Sequence, residues 1–413
     1  MDNVFENLQY KLRTFFSQYD LSTILLILTM LIVTCLFIIC MERTKSKRKC
    51  DYNSKIVKWT SPSGCSINST IKKVLTKNGM KKTTSNCDWE IYIPCTYNNL
   101  KKQIRNVPKN LSQNITNGKN RKIFVIDNAD ELCSKNNIWK NLVQSYGRST
   151  ASKMMPTTYI LTNKDDMKHF KNEYNKNKLY ILKKNIQRQK GLLITNNVDT
   201  IQKASGDRYV VVQELLQDSY LIDDRKINLR VYILIVCNKG VIETYVYNDG
   251  FVYYTVEKFK KGSSEDGPNI TTGYIDRKVY EHNPLTHMDL RTYFDTKKRS
   301  LSEAEYDILS KKEKISENVF NSIYDLIRNV VKGMNGIICK NGSSLHDTTS
   351  FQLLGADVAI NENLHPQLIE INKGPDLGAK DDRDSALKMS VVNDIFKVLK
   401  ITPAEDIGGY IKL

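Results

Sequence analysis

The sequence predicts an α+β protein with a large antiparallel component, preceded by one N-terminal transmembrane helix. Three observations predict it. One apolar run, Leu21 to Met41, is uninterrupted; β-type runs follow one another from Lys178 to Phe259; and one strongly amphipathic helix leads into a hairpin at Phe351 to Pro375. With 413 residues, 40% of them hydrophobic, the chain can bury a large core and form more than one lobe.

The run Leu21–Met41 covers roughly 30 Å as a helix, about one hydrocarbon core. It passes directly into charge at Glu42 and Arg43 with no small-residue cleavage site, so it is expected as an anchor rather than a cleaved leader. The flank after it holds Arg43, Lys45, Lys47, Arg48 and Lys49, against Lys11 and Arg13 before it. The positive-inside bias then predicts a single-pass membrane protein with its N-terminus outside or lumenal and its bulk in the cytosol, the basic flank meeting anionic lipids. Nine scattered cysteines without a CxxC pair fit a reducing compartment rather than a disulfide framework or zinc site. On that topology the sequons at Asn110 and Asn269 are chance products.

The segments read as 1–20, a short N-terminal stretch; 21–41, the anchor; 42–85, a basic polar tether without an apolar period; and 86–155, a first lobe with strand-like runs at Trp89–Ile93 and Lys122–Ile126. The runs KLYILKK, RYVVVQELL, INLRVYILIV, VIETYVY and FVYYTVEKF follow, with room for a crossover helix only near Asn196–Ala204, so antiparallel pairing is expected. In SENVFNSIYDLIRNVVKGMNG, apolar residues from Phe320 to Met334 recur at three and four and Gly333 and Gly336 close the helix.

The excess of 62 Lys plus Arg over 45 Asp plus Glu, a net charge of +17, favours anionic lipid, nucleic acid or acidic protein tails as partners. In the hairpin, the period of two puts Glu370 and Asn372 on one face and Ile369 and Ile371 on the other. A turn near Asn363 and Leu364 sets Asp357 opposite Glu370. Two carboxylates this close repel and desolvate badly, and a hard divalent cation such as Mg²⁺ resolves both problems; a solvent-facing strand edge is the plain alternative. Lys226, Asn228 and Arg230 share one face of a strand whose Ile227, Leu229 and Val231 face the core, a cationic face suited to phosphate. Lys183 ends an apolar strand before a loop. Together these describe a site for a nucleoside triphosphate with Mg²⁺, without a Walker-type glycine loop. His282 and His287 have no metal-ligand spacing and fall in a polar loop.

The order and spacing of YILKK, VVVQELL, LIDDRKINLRVYILI and FQLLGADVAI…LIEINKGP, with ADELCSKNNIWKNL and PTTYIL before them, resemble the tubulin-tyrosine ligase-like family over about Phe124–Leu399. The resemblance implies an ATP-grasp fold with largely antiparallel sheets, a central lobe at 156–216 and a C-terminal lobe at 217–413. It implies ATP and Mg²⁺ as cofactors: Lys183 on the phosphates, Gln213, Glu214, Leu215 and Leu216 as the hinge at the adenine, Lys226 as a further nucleotide contact, Asn228 beside the nucleotide, and Asp357, Glu370 and Asn372 on the metal. Arg230 and Lys135 are the implied catalytic cations. The implied activity joins Glu, Gly or Tyr to a protein carboxylate through an acyl phosphate, on an acidic tail of the tubulin kind rather than on nucleic acid.

This sequence departs from the family's pattern at several places. Asn228 stands where an aspartate is usual, Gln189 for a glycine, Glu214 for a hinge lysine and Tyr253 for an arginine, and Asn269–Thr272 is a degenerate form of a histidine-leucine-threonine-asparagine segment. Two other readings therefore stay open: an inactive relative that tethers microtubules or acidic proteins to a membrane, and an ATP-grasp ligase with a different acceptor.

Overall fold

The computed structural model describes residues 19–46, 56–85, 88–95, 121–186, 191–296, 314–340 and 348–413. The chain divides into two compact units, Met1–Asn53 and Ser54–Leu413. In the first, one helix, α1, runs from Leu21 to Ser46. Thr29 and Thr34 turn their hydroxyls back onto carbonyls of the preceding turn.

The membrane anchor is not supported. Among the described residues no helix is long and apolar enough to cross a membrane. The expected single-pass localisation, with an outer N-terminus and a cytosolic domain, falls with the span. The N-terminal segment up to residue 18, the side chains of the basic cluster Arg43–Lys49 and the sequon at Asn110 lie outside the described residues.

In the second unit order begins earlier than the polar composition of 42–85 suggests. Four strands pair in parallel, β1 (Lys58–Thr60), β2 (Lys81–Lys82), β3 (Ile91–Tyr92) and β4 (Lys122–Ile123). A second sheet is wholly antiparallel: β5 (Thr158–Ile160), β6 (Tyr180–Lys183), β7 (Leu192–Thr195) and β8 (Val211–Glu214), in the order β5-β8-β6-β7. The remaining strands are β9 (Leu221–Ile222), β10 (Arg225–Asn238), β11 (Val241–Thr255), β12 (Thr271–Thr272), β13 (Thr349–Ile360), β14 (Pro366–Asn372) and β15 (Tyr410–Lys412). They extend the parallel strands into one large sheet, β12-β11-β10-β13-β4-β3-β1-β2, with β14 on β13. The class is mixed α/β: antiparallel pairing holds around β10, β11, β13 and β14, while β13 joins β4 in parallel.

Four helices cover the large sheet: α2 (Ser69–Lys77), α3 (Lys135–Tyr146), α4 (Ile315–Lys332) and α5 (Asp382–Val398). On one face α3 and α4 pack on Ile227, Leu229, Val231 and Ile233 of β10; on the other α2 and α5 pack with Tyr232, Leu234 and Val236. A strand covered on both faces reads as a nearly continuous apolar run, which explains VYILIV. The apolar stripe of α4, Phe320, Ile323, Ile327 and Val330, is fully buried as its period requires, and Gly333 closes the helix with its N–H on Asn329.

VIETYVY and the FVYYT of the next run form the single strand β11, with Asn248-Asp249-Gly250 inside it. Pairing with β10 slips between Val231 and Ile233, so these residues form a bulge. The structure also pairs Cys65 with Cys95 and Cys237 with Cys339, at Cα separations of 5.4 and 5.7 Å. Residues distant in sequence meet at these points, which spacing alone did not reveal.

Candidate functional site

A cavity of about 660 Å³ opens between the antiparallel sheet and the uncovered end of the β10–β13 face. Ile181, Leu192 and Leu215 form its apolar side; Lys226, Arg230, Asp357 and Glu370 stand on the other. Every site residue expected from the sequence lines it: Lys135, Lys183, Gln213, Glu214, Leu215, Leu216, Lys226, Asn228, Arg230, Asp357, Glu370 and Asn372.

Strand alternation places the cations. On β6, Leu182 enters the small sheet's own core while Ile181 and Lys183 face the cavity. Lys183 is 6% exposed and donates to Gln213 Oε1 at 2.6 Å; Gln213 in turn donates to Thr158 Oγ1 at 2.8 Å. Burial pushes the Lys183 pKa down to about 8, with Glu370 pulling the other way and Lys135 adding to the fall. Lys226, 4% exposed, donates to the Leu216 carbonyl at 2.6 Å and Asn269 Oδ1 at 3.0 Å, and its ammonium lies 4.5 Å from the Phe259 ring centre. Burial holds it at about 8, opposed by Asp218. Thus the first residue of the degenerate NITT segment serves to position a lysine. Glu214 pairs instead with Lys178, at 2.9 Å.

Asp357 and Glu370 are directly opposite in the β13–β14 register, and the chain turns between them through Leu364 at φ 64°. The register slips after Asp357, where Ile369 is the extra residue. Leu368 and Ile371 therefore enter the core while Ile369 lines the cavity beside Glu370, which corrects the simple alternation. Arg230 grips Asp357 with both ends, Nε to Oδ1 at 2.7 Å and a terminal nitrogen to Oδ2 at 3.2 Å. Lys135 Nζ lies 3.3 Å from Glu370 Oε2, and Asn372 donates to Oε1 at 3.2 Å. Burial, with Glu370, pushes the Asp357 pKa up against the pull of Arg230. Glu370 is lowered overall, because Lys135 and Lys183 outweigh its own desolvation. The positions of Lys135 and β14 are fixed from outside: Lys135 N–H donates to Asn185 at 3.2 Å, and buried Gln352 donates to the Lys373 carbonyl at 2.9 Å.

Among the described residues no three His, Cys, Asp or Glu gather as a metal site. The expected metal trio has only two carboxylates and an amide, and Arg230 and Lys135 already compensate the charge that a cation was invoked to relieve. Its donors are nevertheless all oxygens, and a carboxylate bound through two hydrogen bonds keeps further lone pairs, so the residues fit a hard cation.

Sequence reasoning missed Lys380, Asp376 and Tyr274, which line the far end of the cavity. They stand in loops after β12 and β14, where the only sequence signal was the charge in PDLGAKDD. His287 is not in a polar loop: it opens the helix His287–Thr296, is 2% exposed and lies 5.3 Å from the Phe320 ring. Gln189 lies outside the described residues.

Two facing sheets with a cationic cleft between them are consistent with a nucleotide-binding ATP-grasp fold. A family model described as the tubulin-tyrosine ligase family matches residues 113–407, most of the chain, and the protein belongs to that family. It is 27% identical over 223 residues to the tubulin polyglutamylase TTLL7 of Xenopus tropicalis, covering 52% of this chain and 24% of the relative. It is 25% identical over 279 residues to the tubulin polyglutamylase TTLL5 of Mus musculus, covering 65% and 20%. With the probable tubulin polyglutamylase ttll-9 of Caenorhabditis elegans it shares 23% identity over 371 residues, 84% of this chain and 83% of the relative. The match thus spans about a quarter or less of the first two relatives.

Proposed function

We propose that this protein is an ATP-dependent ligase that joins an amino acid, glutamate foremost, to a carboxylate on an acidic tail of the tubulin kind. Membership of the family and the names of the relatives support the reaction class and the acceptor. The observation that carries the reading is the set of cations gathered in one cleft: buried Lys183 and Lys226, Arg230 on Asp357, and Lys135 on Glu370.

In this reading Lys183 and Lys226 hold the polyphosphate, and the apolar side formed by Ile181, Leu192 and Leu215 takes the base. Arg230 and Lys135 stabilise the charge on the transferred phosphoryl group. An acceptor carboxylate oxygen attacks the γ-phosphorus and ADP leaves with the bonding pair. The amine of the incoming amino acid then attacks the acyl carbon, phosphate departs and the amine proton is lost to solvent. Asp357, Glu370 and Asn372 would hold Mg²⁺, which neutralises phosphate charge when bound. The net charge of +17 would steer acidic tails to the protein.

The test is incubation of the full chain with ATP, Mg²⁺, tubulin and labelled Glu, Gly or Tyr in turn. Incorporation that disappears in Lys183→Ala and Glu370→Gln supports the ligase. Co-sedimentation with microtubules without incorporation or ADP release supports the inactive relative, and ADP release only with another acceptor supports the third reading.

A further inference from the structure

The family's arginine falls at Tyr253 in this chain, and the space that it leaves is not apolar. A Cβ placed on Gly273 would lie 2.9 Å from Lys380 Nζ and 3.0 Å from Tyr253 Cε1, so the ammonium and the ring edge flank the same point. Tyr253 also lies under the Arg230 guanidinium, 5.2 Å from the ring centre. Arg230, Tyr253 and Lys380 thus form a continuous wall leading from Asp357 to the far end of the cavity. Lys380 comes from the loop after β14, a different element from the strand that carries Tyr253. It is half-buried, donates to the Gly273 carbonyl and stands 4.2 Å from the Tyr274 ring centre. Among the described residues it makes no ion pair, although Asp357, Glu370, Asp384 and Asp381 all have cationic partners. One donor of its three is satisfied by Gly273, leaving two for a ligand. Burial, then Lys388 and Arg277, lower its pKa, while Asp376 and Asp384 oppose them.

We infer that Lys380 takes over the charge lost at Tyr253 and binds a carboxylate of the incoming amino acid. The inference rests on the ligase reading. An ammonium half out of water, with donors to spare and no ion pair among the described residues, suits an anion that arrives with substrate, the more distant Asp376 and Asp384 compensating it only in part. The position next to Arg230 suits the amino acid rather than the adenine, because the base would occupy the opposite, apolar side of the cleft. Gly273 fits the same account: any side chain there would displace the ammonium.

The experiment compares wild type, Lys380→Ala and Lys380→Arg for incorporation with labelled glutamate and with labelled glycine, alongside binding of a fluorescent ATP analogue. Expected is a KM for the amino acid raised about tenfold or more in Lys380→Ala, the loss of a charge-assisted contact. Lys380→Arg should recover most of that loss, with kcat and ATP-analogue binding little changed. An equal rise for both amino acids assigns the α-carboxylate, and a rise confined to glutamate assigns the side-chain carboxylate. An unchanged KM in Lys380→Ala, or a fall confined to kcat, overturns the inference while leaving the ligase standing. If wild type incorporates no amino acid, the ligase reading fails first; equilibrium dialysis of labelled glutamate with a non-hydrolysable ATP analogue then decides on Lys380. Glutamate binding lost in Lys380→Ala supports the role, and no binding to wild type, or equal binding to both, overturns it.

Discussion

Asp357 and Glu370 face each other across the β13–β14 ladder, yet each meets a different cation: the Arg230 guanidinium at 2.7 Å and the Lys135 ammonium at 3.3 Å. The partners are far apart in sequence, so the corner closes only when helix α3, strand β10 and the C-terminal hairpin are all in place. Its charges alternate, and a phosphoryl group entering between them would meet two cations and two carboxylates in fixed positions.

Breaking one pair should expose the cost of the other. Asp357→Asn leaves the buried guanidinium of Arg230 with a weaker partner, and the loss on breaking a buried pair is about 3 kcal/mol. Urea unfolding should show it as a lower midpoint with an unchanged slope. Arg230→Met in the same background should recover part of the stability but no activity. A midpoint for Asp357→Asn equal to wild type would show that Arg230 is already well solvated.

The two buried lysines give a pH signature of defined sign. Their folded values of about 8 lie below the ordinary 10.5, so between these values the unfolded chain binds more protons. The stability that they contribute is therefore least below pH 8 and rises through pH 8 to 10.5 as they discharge. Affinity for a triphosphate runs the other way, because it needs both ammonium groups. Titration with a fluorescent ATP analogue should show Kd rising above pH 8, and Lys183→Arg, which stays charged, should flatten part of the rise. A wild-type Kd constant from pH 7 to 9.5 would remove the lysines from the phosphate site.

Gly250 supplies a close backbone approach. It pairs with Val231, and a Cβ there would strike the Arg230 carbonyl and come within 2.5 Å of His287 Cε1. Since backbone cannot give way, Gly250→Ala should cost about 1–3 kcal/mol and lower Tm by several degrees. It should also weaken nucleotide binding, through displacement of Arg230, more than a stability loss of that size accounts for. Unchanged Tm in differential scanning calorimetry would show that the bulge at Asn248–Gly250 is soft.

Much of this corner was legible in the sequence because strand alternation is a local rule. KINLR placed Lys226, Asn228 and Arg230 on one face, and the hairpin spacing set Asp357 against Glu370. What local rules miss is insertion and long-range contact. The extra residue at Ile369 reverses one side chain, the Asn-Asp-Gly inside β11 looks like a turn but is a bulge, and β1 begins within residues whose polarity suggested a tether. Lys380 belongs to the same class, since only the folded chain brings a loop lysine to Tyr253. The apolar run at Leu21–Met41 failed differently: composition indicated a span, but the described helix does not supply one.

The central claim, carboxylate activation by ATP followed by amide formation, is tested most directly by stoichiometry. ADP release and labelled glutamate incorporated into tubulin should be measured in the same reaction with the full chain. The account predicts one ADP for each glutamate added, both dependent on tubulin and both abolished in Lys183→Ala. Incorporation without ADP release, or ADP release that ignores tubulin and glutamate, would contradict it.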